Sequence, residues 1–172
     1  NGRSIYENIQ NAIRFLLSGN FAGILIVLIT SFLDLPMPFL AVHLLFINLL
    51  TDSLPAIAIG VQDYHEDILN DKPREKTKHF IDKKLIGKIL LEGILIFLSC
   101  FIGYIKGLII NIDTARTMAF SILCLARLFH SFNCSTKESI LKCNKINKTL
   151  LISFIFGVLL INCVLFIPYL KN

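Results

Sequence analysis

The sequence predicts an all-α fold, a polytopic membrane helix bundle of about five transmembrane helices. Of its 172 residues, 55% are hydrophobic and the mean hydropathy is +0.70. An ordinary soluble domain is about 45–50% apolar. The apolar residues gather into runs of about 20, the length that crosses a hydrocarbon core of about 30 Å as a helix. The charged residues fall mostly between those runs. The net charge of +5 therefore reads as a topology signal, with the lipid bilayer as the surroundings and no nucleic acid as partner.

The spans are expected at about 13–33, 37–60, 85–104, 115–132 and 149–170. Ahead of the first, Ile5, Ile9, Ala12 and Ile13 recur at helical period, so a helix enters the membrane from outside it. Such a lead-in suits the transmission of motion from a soluble part, and equally a short amphipathic entry. Asp34-Leu35-Pro36 reads as a tight turn that folds the first two spans into an antiparallel hairpin. The fourth span is the weakest, because Arg127 interrupts it. The loops 61–84 and 133–148 are rich in lysine and are expected in the cytosol, with the N-terminus beside them. An odd number of spans leaves the C-terminus on the other side. Asn1 to Arg14 has no signal-peptide shape. The start and the abrupt end both read as the interior of a longer chain.

The polar residues inside the apolar runs carry the chemistry. Asp52 would lie at mid-membrane, where an aspartate costs roughly 2.5–3.5 kcal/mol on insertion scales. Asn48, Thr51 and Asp52 stand at i, i+3 and i+4, one face of a helix. Pro55 cannot donate an amide to the Thr51 carbonyl. One turn thus offers a carboxylate, an amide oxygen, a hydroxyl and a freed carbonyl, hard donors suited to Ca²⁺ or a similar cation. In the first span, Ser18 to Gly23 reads as a polar, glycine-containing break. Asn20 there would add an oxygen, or would only bond across helices. Gly19 and Gly23 would permit close helix approach.

Arg127 is the second intramembrane charge. It either snorkels to the interface or meets the Asp52 cluster. Glu92 is expected to bond a neighbouring helix. Cys134, Cys143 and His130 lack a fourth ligand and CxxC spacing, and read as reduced thiols beside a histidine rather than a metal site. The phosphate-binding loops, dinucleotide fingerprint, HExxH and nucleophile elbow are all absent from the sequence.

Gly2-Arg3-Ser4-Ile5-Tyr6, Ser18-Gly19-Asn20, and Asn48-Leu49-Leu50-Thr51-Asp52-Ser53-Leu54-Pro55 together resemble the carboxy-terminal half of the membrane domain of P-type Ca²⁺-transporting ATPases. Asp67 to Arg74 is similar to that family's loop after its sixth helix. The resemblance implies that the five spans are the family's fifth to ninth helices, with the tenth missing. It implies Asn48 and Asp52 as ligands of one ion, Asn20 and Thr51 as ligands of another, and Asp52 as the bridge. Two-ion members carry glutamates where this chain has Gly23 and Arg127. The resemblance thus implies one ion per cycle, with Arg127 occupying the second position. The transported ion is then Ca²⁺, with Mn²⁺ accepting similar ligands. ATP and Mg²⁺ act at domains outside this chain. The implied partners are the first four helices and the actuator, phosphorylation and nucleotide domains, and the implied location is the plasma membrane. An alternative on the residues alone is a secondary transporter or channel with a midplane cation site. A third is a non-transporting membrane subunit held together by polar contacts.

Overall fold

The computed structural model describes residues 2–62, 82–135 and 148–166. The lysine-rich loops, Cys143 and the C-terminal residues from 167 onward lie mostly or wholly outside them. Six α-helices and one π-helical turn make up the described chain, and no strand occurs among the described residues.

The first helix, α1, runs from Gly2 to Phe32, 31 residues. At 1.5 Å per residue it is about 46 Å long, more than a bilayer core requires. It passes unbroken through Ser18 to Gly23, where the sequence suggested an interruption. The reason is local: the Ser18 hydroxyl donates back to the carbonyls of Arg14 (2.7 Å) and Phe15 (3.1 Å), so its polarity is absorbed within the helix. Thr30 does the same with the Ile26 carbonyl at 2.7 Å. The helix stops at a left-handed Asp34, φ 52°. The Leu35 N–H reaches the Thr30 carbonyl at 2.9 Å and the Asp34 N–H the Ser31 carbonyl at 3.3 Å, a Schellman ending. Aspartate tolerates this backbone better than most residues do.

The second rod is broken. Helix α2 (Ala41–Phe46) gives way to a π turn (Ile47–Thr51), and α3 (Ser53–Gly60) follows. Pro55 sits in the first turn of α3, where a missing amide costs least. Helix α4 (Lys83–Leu108) opens with Asp82 accepting the Leu85 N–H at 2.8 Å. Helix α5 (Ile112–Ser135) opens with Asn111 accepting the Thr114 N–H at 2.7 Å. Helix α6 is Lys148–Phe166.

Four of these rods are long and apolar enough to cross a membrane: Ile5–Phe32, Ala41–Gly60, Lys83–Leu108 and Lys148–Phe166. Helix α5 is long enough, at 24 residues, but more polar. Its position explains this. It packs against α1, α3, α4 and α6, and its Arg127, His130, Ser131 and Ser135 are buried in protein rather than presented to lipid. The α4–α5 pair is the most extensive contact. At their turn a Cβ on Gly107 would lie 2.4 Å from Ala115 Cα, so only glycine lets the two backbones meet there. The main core joins Ala22 and Ile26 of α1 to Cys100 and Tyr104 of α4 and Phe120 and Leu123 of α5. A second core sets Phe15 against Ala58, Ile59, Cys134 and Leu150. The 33–40 connection is anchored by the Tyr104 hydroxyl, which donates to the Pro36 carbonyl. Arg116 Nε donates to the Met37 carbonyl at 3.0 Å.

Candidate functional site

The site begins with the π turn. The Asp52 N–H bonds the Ile47 carbonyl at 2.9 Å, one residue further back than an α-helix would take it. The Ser53 hydroxyl donates to the Asn48 carbonyl at 3.1 Å. The wider turn rotates the following side chains and cancels the i, i+3, i+4 alignment expected from the sequence. Thr51 is buried toward α5, its hydroxyl 4.0 Å from Cys124 Sγ. Asn48 is exposed along the open side of the rod. Asp52 lies between them, 2% exposed.

Arg127 reaches Asp52 from α5. Its Nη2 is 2.7 Å from Asp52 Oδ2 and donates to Asn20 Oδ1 at 2.9 Å. One guanidinium nitrogen therefore joins α1, the broken rod and α5. Arg127 is itself 2% exposed, so the interface-seeking conformation weighed from the sequence is not adopted. Burial makes the pair demanding: removing one partner of such a pair typically costs about 3–5 kcal/mol. Two atoms of the cluster, Asp52 Oδ1 and Arg127 Nε, have no hydrogen-bond partner among the described residues. One carboxylate oxygen is thus left without a hydrogen-bond donor among the described residues.

Gly19 makes this arrangement possible. A Cβ there would stand 2.2 Å from Arg127 Nε and 2.7 Å from Cζ. The guanidinium lies in the space that the missing side chain leaves. Gly23 is different, because a Cβ there meets nothing within 4 Å. The helix–helix approach expected of these two glycines is made instead by Gly93 of α4, whose Cβ would come 2.9 Å from the Ser18 carbonyl.

Asn20, Gly23, Asn48, Asp52 and Arg127 all line one groove of about 880 Å³ between α1 and the broken rod. Thr51 does not line it. The rest of the lining is largely apolar, with Ile24, Leu44 and Ile57 among it. A carboxylate, two amide side chains and a fixed cation thus converge in an otherwise hydrocarbon-like cleft.

A second polar cluster was only partly visible in the sequence. Arg14 of α1 grips Glu92 of α4 through two bonds, Nε to Oε2 at 2.8 Å and Nη2 to Oε1. Glu92 does bond a neighbouring helix, but its partner is a cation that the sequence alone did not pair with it. His130 and Cys134 of α5 complete this cluster.

Long apolar helices around a buried acid, a buried guanidinium and a π turn define an integral membrane helix bundle with a polar centre. The family model for "Cation transporting ATPase, C-terminus" matches residues 36–172. A calcium-transporting ATPase of Bacillus subtilis is 35% identical over 99% of this chain and 20% of its own length. One of Listeria monocytogenes is 36% identical over 76% of this chain and 15% of its own. The human calcium-transporting ATPase type 2C member 1 is 30% identical over 80% of this chain and 15% of its own. The chain belongs to the P-type cation-transporting ATPases, as the carboxy-terminal part of their transmembrane region. It spans about a fifth of the length of the first of these relatives.

Proposed function

We propose that this segment carries the ion path of an ATP-driven Ca²⁺ pump that exports one ion per cycle. Asp52, Asn48 and Asn20 supply side-chain oxygens, and Thr51 acts from the opposite side of the π turn. Arg127 replaces a second ion. The observation that carries this reading is the placement of Arg127 Nη2, 2.7 Å from Asp52 Oδ2 and 2.9 Å from Asn20 Oδ1. A cation held there occupies the ground a second metal would need, and repels one at that distance. It also balances the carboxylate when the transported ion has left. The unpartnered Asp52 Oδ1 supports the reading, because it leaves a hard oxygen for that ion. ATP and Mg²⁺ act on the remainder of the pump, where an aspartyl phosphate forms. The N-terminus of α1 is on the cytosolic side and the membrane is the plasma membrane. Mn²⁺ would be accepted by the same oxygens.

In the whole ATPase, Asp52→Asn should abolish Ca²⁺-stimulated ATP turnover while the protein is still made and inserted. Turnover at the normal rate would refute the assignment. Arg127→Glu combined with Gly23→Glu should raise the Ca²⁺ bound per phosphoenzyme from one toward two. An unchanged ratio would remove Arg127 from the second position.

A further inference from the structure

We propose that Glu92, His130 and Cys134 form a binding site for a zinc-like divalent cation, separate from the transport groove. Their ligating atoms, one from each residue, all lie within 4.8 Å of one another. His130 Nε2 is 3.3 Å from Cys134 Sγ and 3.5 Å from Glu92 Oε2. Tetrahedral Zn²⁺ holds sulfur at about 2.3 Å and nitrogen or oxygen at about 2.0–2.2 Å, which sets ligand-to-ligand edges of about 3.3–3.7 Å. The two separations seen here are such edges. His130 and Cys134 are one helical turn apart on α5, so both project from the same face.

The hydrogen-bonding balance points the same way. Ser18 Oγ, Cys134 Sγ and Glu92 Oε2 all crowd around one imidazole nitrogen. A neutral imidazole nitrogen has either one proton or one lone pair to offer, and can serve only one of the three. The Ser18 hydroxyl already directs its proton to the Arg14 carbonyl at 2.7 Å. A metal ion in place of the shared protons would draw on all the lone pairs at once. Arg14 holds both oxygens of Glu92, which orients the carboxylate and leaves Oε2 a further lone pair for a metal. Ser18 Oγ, 2.8 Å from the same nitrogen, is placed to provide or steady a fourth oxygen donor.

Soft thiolate and imidazole with a single carboxylate select Zn²⁺, Co²⁺ or Cd²⁺ over Ca²⁺ and Mg²⁺. The site is not sealed, since the Arg14 and Glu92 side chains are each 14% exposed. A bound ion would fasten α4 to α5 beside α1. His130 lies three residues beyond Arg127, so the fastening acts on the helix that carries the groove's fixed cation. The inference does not depend on which ion the groove transports.

The experiment is Co²⁺ titration of the intact, chelator-treated protein in detergent micelles, followed by absorption spectroscopy. One equivalent should produce a sulfur-to-cobalt charge-transfer band, which Zn²⁺ then displaces and excess Ca²⁺ does not. Cys134→Ser should remove the band, while Cys163→Ser should leave it. His130→Asn should weaken Co²⁺ binding at least about tenfold, the usual order for loss of a ligand or its support. Absence of the band in the unaltered protein would overturn the proposal without any variant. A band that survives Cys134→Ser would overturn it as well, because the sulfur would then come from elsewhere.

Discussion

At the scale of single residues, Gly19 and Gly23 of α1 make opposite forecasts. Gly19 is the seat of the Arg127 guanidinium, and Gly23 faces open groove. Gly19→Ala forces the guanidinium off its position, so it should cost about 1–3 kcal/mol, in the range of overpacked interiors. Gly23→Ala should be neutral or stabilising by up to about 1 kcal/mol, since alanine favours the helix and nothing obstructs it. Thermal unfolding midpoints of the two variants in detergent measure the contrast. Equal shifts would show that the guanidinium does not depend on the space at position 19. The meeting of Arg127 with Asp52 was one of two outcomes the sequence left open, because two opposite charges in apolar helices either find each other or find water; the structure adopts the first. That Asn20 shares the same guanidinium nitrogen was not readable, since it depends on the relative rotation of α1 and α5. Nor was the identity of Glu92's partner: a bond to a neighbouring helix was expected, but Arg14 is far away in sequence.

At the scale of elements, the broken rod is the informative one. The proline and the buried acid marked where regular helix would fail. They did not reveal how it would fail. The π turn takes up one additional residue, and this turns Thr51 toward Cys124 while Asp52 and Asn48 line the groove. Helical-wheel reasoning assumes 3.6 residues per turn throughout, and it misplaces any side chain next to such a turn. Pro55→Ala would return an amide able to bond the Thr51 carbonyl and would favour a regular helix. It should lower Ca²⁺-stimulated turnover of the whole ATPase by about tenfold, equivalent to ~1.4 kcal/mol at the barrier. Steady-state turnover at saturating Ca²⁺ checks this, and an unaltered rate would mean that the turn's shape is not maintained by the proline. The glycine-containing stretch of α1 is the converse case. Its polar residues suggested a break, but serine can bond back into its own helix, and the rod stays whole.

At the scale of the whole molecule, the fold class followed from hydropathy alone. Runs of about 20 apolar residues have few alternatives to a helical bundle in lipid. A groove of about 880 Å³ lies beside Asp52. Within it the helices supply one carboxylate, and one carboxylate with neutral oxygens is a weak Ca²⁺ set by charge count. The 172 residues by themselves should therefore bind Ca²⁺ no more tightly than about 10⁻³ M, as isotope retention in detergent would measure. Micromolar binding by this segment would show that its own oxygens suffice. The order of the helices along the chain was legible; their rotations, which decide which polar groups meet, were not, because rotation is set by packing partners distant in sequence.

The uninterrupted α1 has a mechanical meaning. Asn8, near its start, is tied to the end of α3 through the carbonyls of Gly60 (3.3 Å) and Gln62 (2.6 Å). Asn20 sits twelve residues on, about 18 Å away along the same axis. A helix without a joint is stiffer than one with a break, so α1 links the Asn8 contacts at its foot to the Asn20 amide that accepts from Arg127 through one continuous element.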